Sequence, residues 1–129
     1  MGRILIIDDE KEMREISFQI FKMEGYEVDT AADAESALFK IKNNKYDFLL
    51  VDLVLPGKLN GLDIIKQVRH TIPQIKIIAY SGFSGIDIAE KVMQAGANNF
   101  IAKPFRRHEI INVVNDLYKS NNNQHAMIV

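Results

Sequence analysis

The sequence of 129 residues contains no cysteine, so it can form neither a disulfide framework nor a thiolate metal site. Charge of either sign is not in excess: 16 Lys and Arg face 17 Asp and Glu, a formal net charge of −1. A general nucleic-acid or anionic-membrane binder needs a basic excess, which argues against direct binding of either. No apolar run approaches the roughly 20 residues of a membrane span, and the N-terminus has no signal-peptide layout. We therefore expect a cytoplasmic protein without membrane insertion.

The glycine-rich signatures of nucleotide-binding folds are also missing, since neither G-x-G-x-x-G nor a Walker A motif occurs. The length falls in the usual range of a single domain, and the 47% hydrophobic and 26% charged content is that of an ordinary globular protein. Residues 120–124 are polar and rich in asparagine. We expect one domain in residues 1–120, a flexible polar tail in residues 121–129, and no attached output domain.

Short apolar runs alternate with longer amphipathic stretches. Four runs suit strands buried on both faces of a sheet: residues 4–7, 48–51, 76–80 and 99–102, which are apolar after the initial Lys76 and Asn99 of the last two. Residues 26–30 alternate between apolar and polar, as a half-buried edge strand does. In the stretches between the strands, apolar residues recur at every third or fourth position, the spacing of one face of an α-helix. Five such stretches predict five helices. The pattern predicts an α/β fold with a doubly wound, five-stranded parallel sheet.

Signals for the ends of three helices accompany this pattern. Gly25 is expected to end the first helix, Asp33 to cap the beginning of the second, and Pro104 to open the fifth.

Each of the four buried runs ends in polar residues, namely Asp8-Asp9-Glu10, Asp52, Ser81 and Lys103. In an open α/β sheet, the carboxyl ends of the strands form the functional edge. Loops are polar in general, which would explain one or two of these residues. Two adjacent acids, a further acid and a lysine, all closing apolar runs, indicate a site.

Physical chemistry restricts what such a site can do. Two carboxylates ~4 Å apart repel by about 4 kcal/mol, so either one is protonated or a cation lies between them. Oxygen ligands without His or Cys favour a hard ion, Mg²⁺ or else Mn²⁺, which usually shares its site with phosphate oxygens. The nucleophile left is a carboxylate, and an aspartate that attacks phosphorus becomes an acyl phosphate.

The arrangement resembles the receiver domain of two-component response regulators, the family of the bacterial chemotaxis response regulator. The resemblance covers residues 3–119 and rests on four motifs in order: Ile6-Ile7-Asp8-Asp9-Glu10, Leu49-Leu50-Val51-Asp52-Leu53-Val54-Leu55-Pro56-Gly57, Ala79-Tyr80-Ser81-Gly82 and Ala97-Asn98-Asn99-Phe100-Ile101-Ala102-Lys103-Pro104-Phe105. It implies a flavodoxin-like (βα)5 fold with strand order 2-1-3-4-5. It also implies a cis peptide bond between Lys103 and Pro104.

The resemblance further implies a role for each motif residue. Asp52 would accept a phosphoryl group, from the phosphohistidine of a sensor kinase or phosphotransfer protein. Asp8, Asp9 and Asp52 would hold Mg²⁺ together with the backbone carbonyl of Val54, and Lys103 would contact the phosphoryl group. The domain would be a signalling module that assists its own phosphorylation and dephosphorylation, not an enzyme with a separate substrate.

A conformational switch completes what the resemblance implies. Ser81 would turn toward the phosphoryl group and Phe100 would move inward, altering the face formed by the fourth helix, fifth strand and fifth helix, where a downstream protein binds. Val54 and Phe83 lie two residues beyond Asp52 and Ser81, and both are apolar. We hypothesise that they limit water access and prolong the phosphorylated state.

Other functions of similar folds fit less well. A haloacid-dehalogenase-type phosphatase has its nucleophile on the first strand and a second acid two residues later, whereas Asp8 and Asp9 are adjacent. A flavodoxin needs a Ser/Thr-rich phosphate loop at this place. The serious alternative is an adaptor that binds partners without being phosphorylated; loss of Asp52 or Lys103 would mark one, and neither is lost. The residues suit a stand-alone regulator and one domain of a larger protein equally.

Overall fold

The computed structural model describes residues 2–82 and 85–128, with side-chain environments up to residue 119. Strands and helices alternate along these residues: β1 (Arg3–Ile7), α1 (Lys11–Met23), β2 (Glu27–Ala31), α2 (Ala34–Asn43), β3 (Phe48–Asp52), α3 (Gly61–Thr71), β4 (Lys76–Ser81), α4 (Ile86–Ala95), β5 (Asn99–Ala102) and α5 (Arg107–Ile128). Within the described ranges, no helix combines the length and the apolar character needed to cross a membrane.

The strands form one parallel sheet in the order β2-β1-β3-β4-β5, which confirms the expected topology. β1, β3 and β4 lie inside the sheet and β2 forms one edge, as the apolar patterns predicted. The pattern was wrong for β5, which forms the other edge and is only partly buried. Because all strands run in the same direction, their carboxyl ends meet at one edge of the sheet. β3 and β4 are aligned so that Asp52 pairs with Tyr80, which places the two side chains on the same face.

The two faces of the sheet carry separate hydrophobic cores. One core joins alternate strand residues such as Leu5 and Leu49 to apolar residues of α2, α3 and α4. The other joins Ile4, Leu50 and Tyr80 to apolar residues of α1 and α5. Burial on both faces is the reason why the central strands are continuously apolar in sequence.

The helix ends agree with the sequence in two places. The carboxylate of Asp33 accepts a hydrogen bond from the backbone N–H of Ser36 at 2.7 Å, and so caps α2. Gly25 follows the last residues of α1 with a φ of 92°, a backbone conformation that glycine adopts without steric cost.

The prediction for the fifth helix was wrong at its beginning, and the helix is longer than expected. The Lys103–Pro104 peptide is cis, as the resemblance implied, and α5 begins only at Arg107. At its other end α5 includes residues 121–128, which we assigned to a tail. No glycine or proline follows Pro104 in the sequence, so no residue of the kind that breaks helices interrupts it. The flexibility of this segment stays a prediction.

A polar network ties β1, β2 and the loop before β3 together. Arg3 Nη2 lies 2.8 Å from Asp29 Oδ2, and the Tyr46 hydroxyl donates a hydrogen bond of 2.6 Å to the same oxygen. Burial by itself would raise the pKa of Asp29, but the hydrogen bond from Tyr46 and the charge of Arg3 outweigh it and hold this pKa below its usual value. The network therefore stabilises the folded state more when Asp29 is ionised than when it is neutral.

We expect Asp29→Asn to lower the free energy of unfolding by about 1 kcal/mol at pH 7, because a partly exposed charged hydrogen bond contributes about that much. A lowered pKa contributes stability above the unfolded-state value, and this contribution is lost as the pH falls through the folded-state value. Urea unfolding should show the difference from wild type at pH 7 shrinking toward acid pH. Asp116→Asn, at an exposed position of α5, is the control. Equal stabilities at pH 7 would contradict the prediction.

Candidate functional site

The carboxyl edge of the sheet brings together polar residues from four strand ends. Asp8 follows β1, Asp52 ends β3, Ser81 ends β4 and Lys103 follows β5. Asp8, Asp52 and Ser81 are almost completely buried, with exposed fractions of 0%, 3% and 1%. Charged residues are seldom buried to this extent unless they are paired or coordinate a metal, so these residues form an organised site.

The ammonium of Lys103 lies among the carboxylates. Its Nζ is 3.0 Å from Asp52 Oδ2, 3.3 Å from Asp8 Oδ2 and 3.8 Å from Glu10 Oε1. The same atom lies 4.6 Å from the centre of the Tyr80 ring. One ammonium thus balances part of the negative charge of three carboxylates.

Asp8, Glu10 and Asp52 form a group that could bind a metal, because one oxygen from each lies within 4.8 Å of the others. The donors are all carboxylate oxygens, which fits a hard divalent cation. Asp9, a ligand that the resemblance implies, is exposed and is not a member of this group. The backbone N–H of Glu10 donates to Asp8 Oδ1 at 2.9 Å, and this turn leaves Asp9 at its tip.

The pKa shifts of Asp52 and Lys103 arise because the buried site contains more carboxylates than ammonium groups. Burial raises the pKa of the Asp52 carboxyl, and the charge of Asp8 acts in the same direction, against the N–H of Val54 and the ammonium of Lys103. For Lys103 burial lowers the pKa, but Asp52 and Asp8 outweigh it and raise this pKa above its usual value. Additional positive charge at the site would therefore stabilise ionised Asp52.

Hydrogen bonds and close backbone packing hold Asp52 and Asp8 in place. Asp52 Oδ1 accepts a hydrogen bond of 3.0 Å from the N–H of Val54. Arg14 reaches from α1 to the carbonyl oxygen of Asp8 at 2.9 Å. Gly61 packs so closely on the chain after β3 that a Cβ there would lie 2.1 Å from the carbonyl oxygen of Asp52. The chain after β3 thus returns at Gly61 to pack against the backbone of Asp52.

The switch residues of the sequence analysis lie on the face covered by α2, α3 and α4. Phe100 is partly buried against that core, and it pairs in register with Ala79, two residues before Ser81. The carbonyl of Ser81 accepts a hydrogen bond of 2.8 Å from the N–H of Lys103. The structure therefore places Ser81 next to the site and Phe100 beside the same strand, while their movement stays a prediction. Phe83 lies outside the described residues.

Sequence reasoning missed Tyr80. This side chain is fully buried, and its hydroxyl donates a hydrogen bond to Asp8 Oδ2. Burial raises the pKa of Tyr80, as do the hydrogen bond to Asp8 and its charge, so the phenol stays a neutral donor. The signal was present: a buried tyrosine hydroxyl usually needs a partner, and this one precedes Ser81 at the edge where the acids were expected.

Comparison with known proteins agrees with the fold and the site. The family described as the response regulator receiver domain matches residues 4–115 of the chain. The match covers most of the sequence and includes every strand and the acidic edge. The chain therefore belongs to the response regulator receiver domain family of two-component systems.

Individual relatives differ in how much of their own length the chain spans. The chain is 34% identical over 118 residues to the chemotaxis protein CheY of Thermotoga maritima, covering 91% of this chain and 98% of that protein. It is 36% identical over 103 residues to the alginate biosynthesis transcriptional regulatory protein AlgB of Pseudomonas aeruginosa, covering 80% of this chain but 23% of AlgB. The nitrogen assimilation regulatory protein NtrX of Azorhizobium caulinodans is 32% identical over 109 residues, 84% of this chain and 24% of NtrX.

Solved structures support the same assignment. A CheY-like receiver domain protein from Methanospirillum hungatei has a TM-score of 0.88 at 29% identity, over 95% of this chain and 98% of that one. The response regulator TrrA of T. maritima, solved in complex with Mg²⁺–BeF, has a TM-score of 0.82 at 33% identity, over 91% of this chain and 99% of TrrA.

Because three carboxylates share one ammonium, we expect Mg²⁺ to raise the melting temperature of the protein. A cation at 100 times its Kd would stabilise the fold by about 2.7 kcal/mol. Asp8→Asn should lose most of this gain in thermal unfolding followed by circular dichroism, and Asp116→Asn should keep it. An undiminished gain in Asp8→Asn would rule out the cluster as the binding site.

A comparison of Asp9→Asn with Glu10→Gln identifies the carboxylate that completes the metal site. The geometry predicts that Glu10→Gln loses more of the Mg²⁺-dependent gain in melting temperature, because Glu10 and not Asp9 belongs to the cluster. The resemblance predicts the reverse order.

Proposed function

We propose that this receiver is a phosphoacceptor of a two-component or phosphorelay system, and that Asp52 receives the phosphoryl group. The observation that carries the proposal is the Asp52 carboxylate, 3% exposed at the end of β3, with Lys103 Nζ 3.0 Å from its Oδ2. The ammonium of Lys103 would attract the oxygens of a phosphoryl group that approaches Asp52. The intact acceptor and lysine favour this function over a non-phosphorylated adaptor.

The transfer is a displacement at phosphorus. An oxygen of Asp52 forms the new P–O bond while the P–N bond to the donor histidine breaks, and its electron pair stays on the imidazole nitrogen. Lys103 neutralises charge on the phosphoryl oxygens, and the buried surroundings of Asp52 strengthen this interaction. Water later cleaves the acyl phosphate, which regenerates Asp52 and releases inorganic phosphate.

The proposed cofactor is Mg²⁺, with Mn²⁺ as a substitute. The geometry supports Asp8, Glu10 and Asp52 as its carboxylate ligands. Asp9 and the backbone carbonyl of Val54 are the further ligands that the resemblance implies. When bound, the ion would supply positive charge to the phosphoryl oxygens. Clustered carboxylates need such charge, because Lys103 balances them only in part.

Two protein partners follow from this role. A sensor histidine kinase or a histidine phosphotransfer protein would supply the phosphoryl group. A downstream protein would bind the face of α4, β5 and α5, where α4 carries the large apolar side chains Ile86 and Met93 at exposed fractions of 78% and 47%. Ser81 and Phe100 would couple phosphorylation to this face by shifting the population between two packings.

The acceptor is tested by incubating the protein with acetyl phosphate and Mg²⁺ and measuring the intact mass. Wild type should gain one phosphoryl group, and Asp52→Asn should gain none because the nucleophile is lost. Lys103→Gln should be labelled about 10²–10³-fold more slowly, the usual cost of removing a transition-state donor. Asp116→Asn removes an acid at an exposed position outside the site and is the control. Labelling of Asp52→Asn at the wild-type rate would refute the proposal.

The apolar side chain of Val54 is expected to lengthen the life of the phosphorylated state. Val54 is 54% exposed and follows Asp52 by two residues, which places it where water would approach. Val54→Gln should lose its phosphoryl group faster than wild type after the donor is removed, whereas Val54→Leu should retain it at least as long. Slower loss from Val54→Gln would contradict the expected shielding.

A further inference from the structure

Asp8 is fully buried, with an exposed fraction of 0%. Because water cannot reach its carboxylate, hydrogen-bond donors of the protein must solvate it. Its Oδ1 accepts from the N–H of Glu10 at 2.9 Å. Its Oδ2 accepts from the hydroxyl of Tyr80 and from Lys103 Nζ, the latter at 3.3 Å. The orientation of this carboxylate is therefore set by one backbone group and two side chains.

The two side-chain donors are not equivalent. Lys103 divides its ammonium among three carboxylates and lies nearer to Asp52 than to Asp8. It is also the group expected to turn toward a phosphoryl oxygen, and it would then leave Asp8. The Tyr80 hydroxyl carries no charge and donates to Asp8. It can therefore hold this carboxylate both while Lys103 contacts Asp8 and after Lys103 has turned toward a phosphoryl oxygen.

The position of the Tyr80 hydroxyl is fixed by its surroundings. Tyr80 pairs with Asp52 across β3 and β4, so its side chain lies on the same face of the sheet as the acceptor. The ring is fully buried in the core beneath α1 and α5. Phe105 contacts it edge-on with centroids 5.9 Å apart, and Lys103 Nζ lies over it at 4.6 Å. A tyrosine held in this way directs its hydroxyl to one place.

We propose that Tyr80 is a positioning residue of the cation site, which holds Asp8 Oδ2 so that the free lone pairs of the carboxylate face a divalent ion. The inference rests on the cation site of the proposed function and adds to it a residue from the opposite face to Ser81 and Phe100. Removal of the hydroxyl leaves Asp8 with a shared ammonium and one backbone N–H, and the carboxylate gains freedom to rotate away. Loss of such an outer hydrogen bond typically weakens metal affinity by about 10–100-fold.

The chain offers a matched control. Tyr46 is also buried, and its hydroxyl donates to the carboxylate of Asp29 at 2.6 Å, in the network that joins β1 and β2. Tyr46→Phe therefore removes the same kind of hydrogen bond from a carboxylate outside the acidic edge. A purely structural role for tyrosine hydroxyls would make the two variants alike in cation binding.

The test is a titration of the full chain with Mn²⁺, in which free Mn²⁺ is measured by its electron paramagnetic resonance signal and Mg²⁺ competes. Tyr80→Phe should bind Mn²⁺ at least about tenfold more weakly than wild type, while Tyr46→Phe stays close to wild type. Tyr80→Met also lacks a hydroxyl and should show the same loss, which keeps the test available if one variant fails to fold. Circular dichroism without metal verifies folding.

A second readout separates positioning from general damage. In labelling by acetyl phosphate, Tyr80→Phe should need a higher Mg²⁺ concentration for half-maximal rate, by the same factor as its loss of Mn²⁺ affinity. Its rate at saturating Mg²⁺ should stay near that of wild type. Unchanged or tighter Mn²⁺ binding by Tyr80→Phe would overturn the inference and leave the proposed function intact. Failure of wild type to bind Mn²⁺ or Mg²⁺ would overturn the cation site itself, and the inference with it.

Discussion

The ion pair between Lys103 and the buried carboxylates is the interaction on which the rest of the site depends. Asp8 and Asp52 are almost fully excluded from solvent, and an uncompensated buried charge costs several kcal/mol. Lys103 follows β5 and reaches Asp52 at the end of β3 and Asp8 directly after β1. One ammonium against three carboxylates leaves the site short of positive charge, and this deficit is what a divalent cation would relieve.

The parallel sheet gives this charged edge two distinct supports. Side chains alternate along β4, so the consecutive residues Tyr80 and Ser81 lie on opposite faces. Tyr80 enters the core beneath α1 and α5 and donates to Asp8. Ser81 lies toward the face of α2, α3 and α4, where Phe100 packs. In the proposed function, these adjacent residues of one strand would act separately, Tyr80 at the cation site and Ser81 in the conformational switch.

Much of the site could be predicted because the end of a buried strand is marked in the sequence by an apolar run that stops at a polar residue. Apolar runs that close on Asp52 or Lys103 place those residues at one edge once the strands are parallel. The place of Glu10 beside Asp8 and Asp52 could not be predicted, because it depends on a turn in which Asp8 accepts the N–H of Glu10. The role of Asp9 as a ligand stays a prediction. Tyr80 was missed because an aromatic residue in an apolar strand is predicted to be a core residue. Its role in the site becomes visible only when the partner of its hydroxyl is known.

By itself the sequence determined the alternation of strands and helices, the parallel sheet and the edge that carries the acids, because these follow from local periodicity. Only the tertiary structure decided which oxygens share the ammonium of Lys103, which acid joins Asp8 and Asp52, and where α5 begins. Such features depend on contacts between residues far apart in the chain, such as Tyr80 with Asp8. Local patterns do not encode those distances.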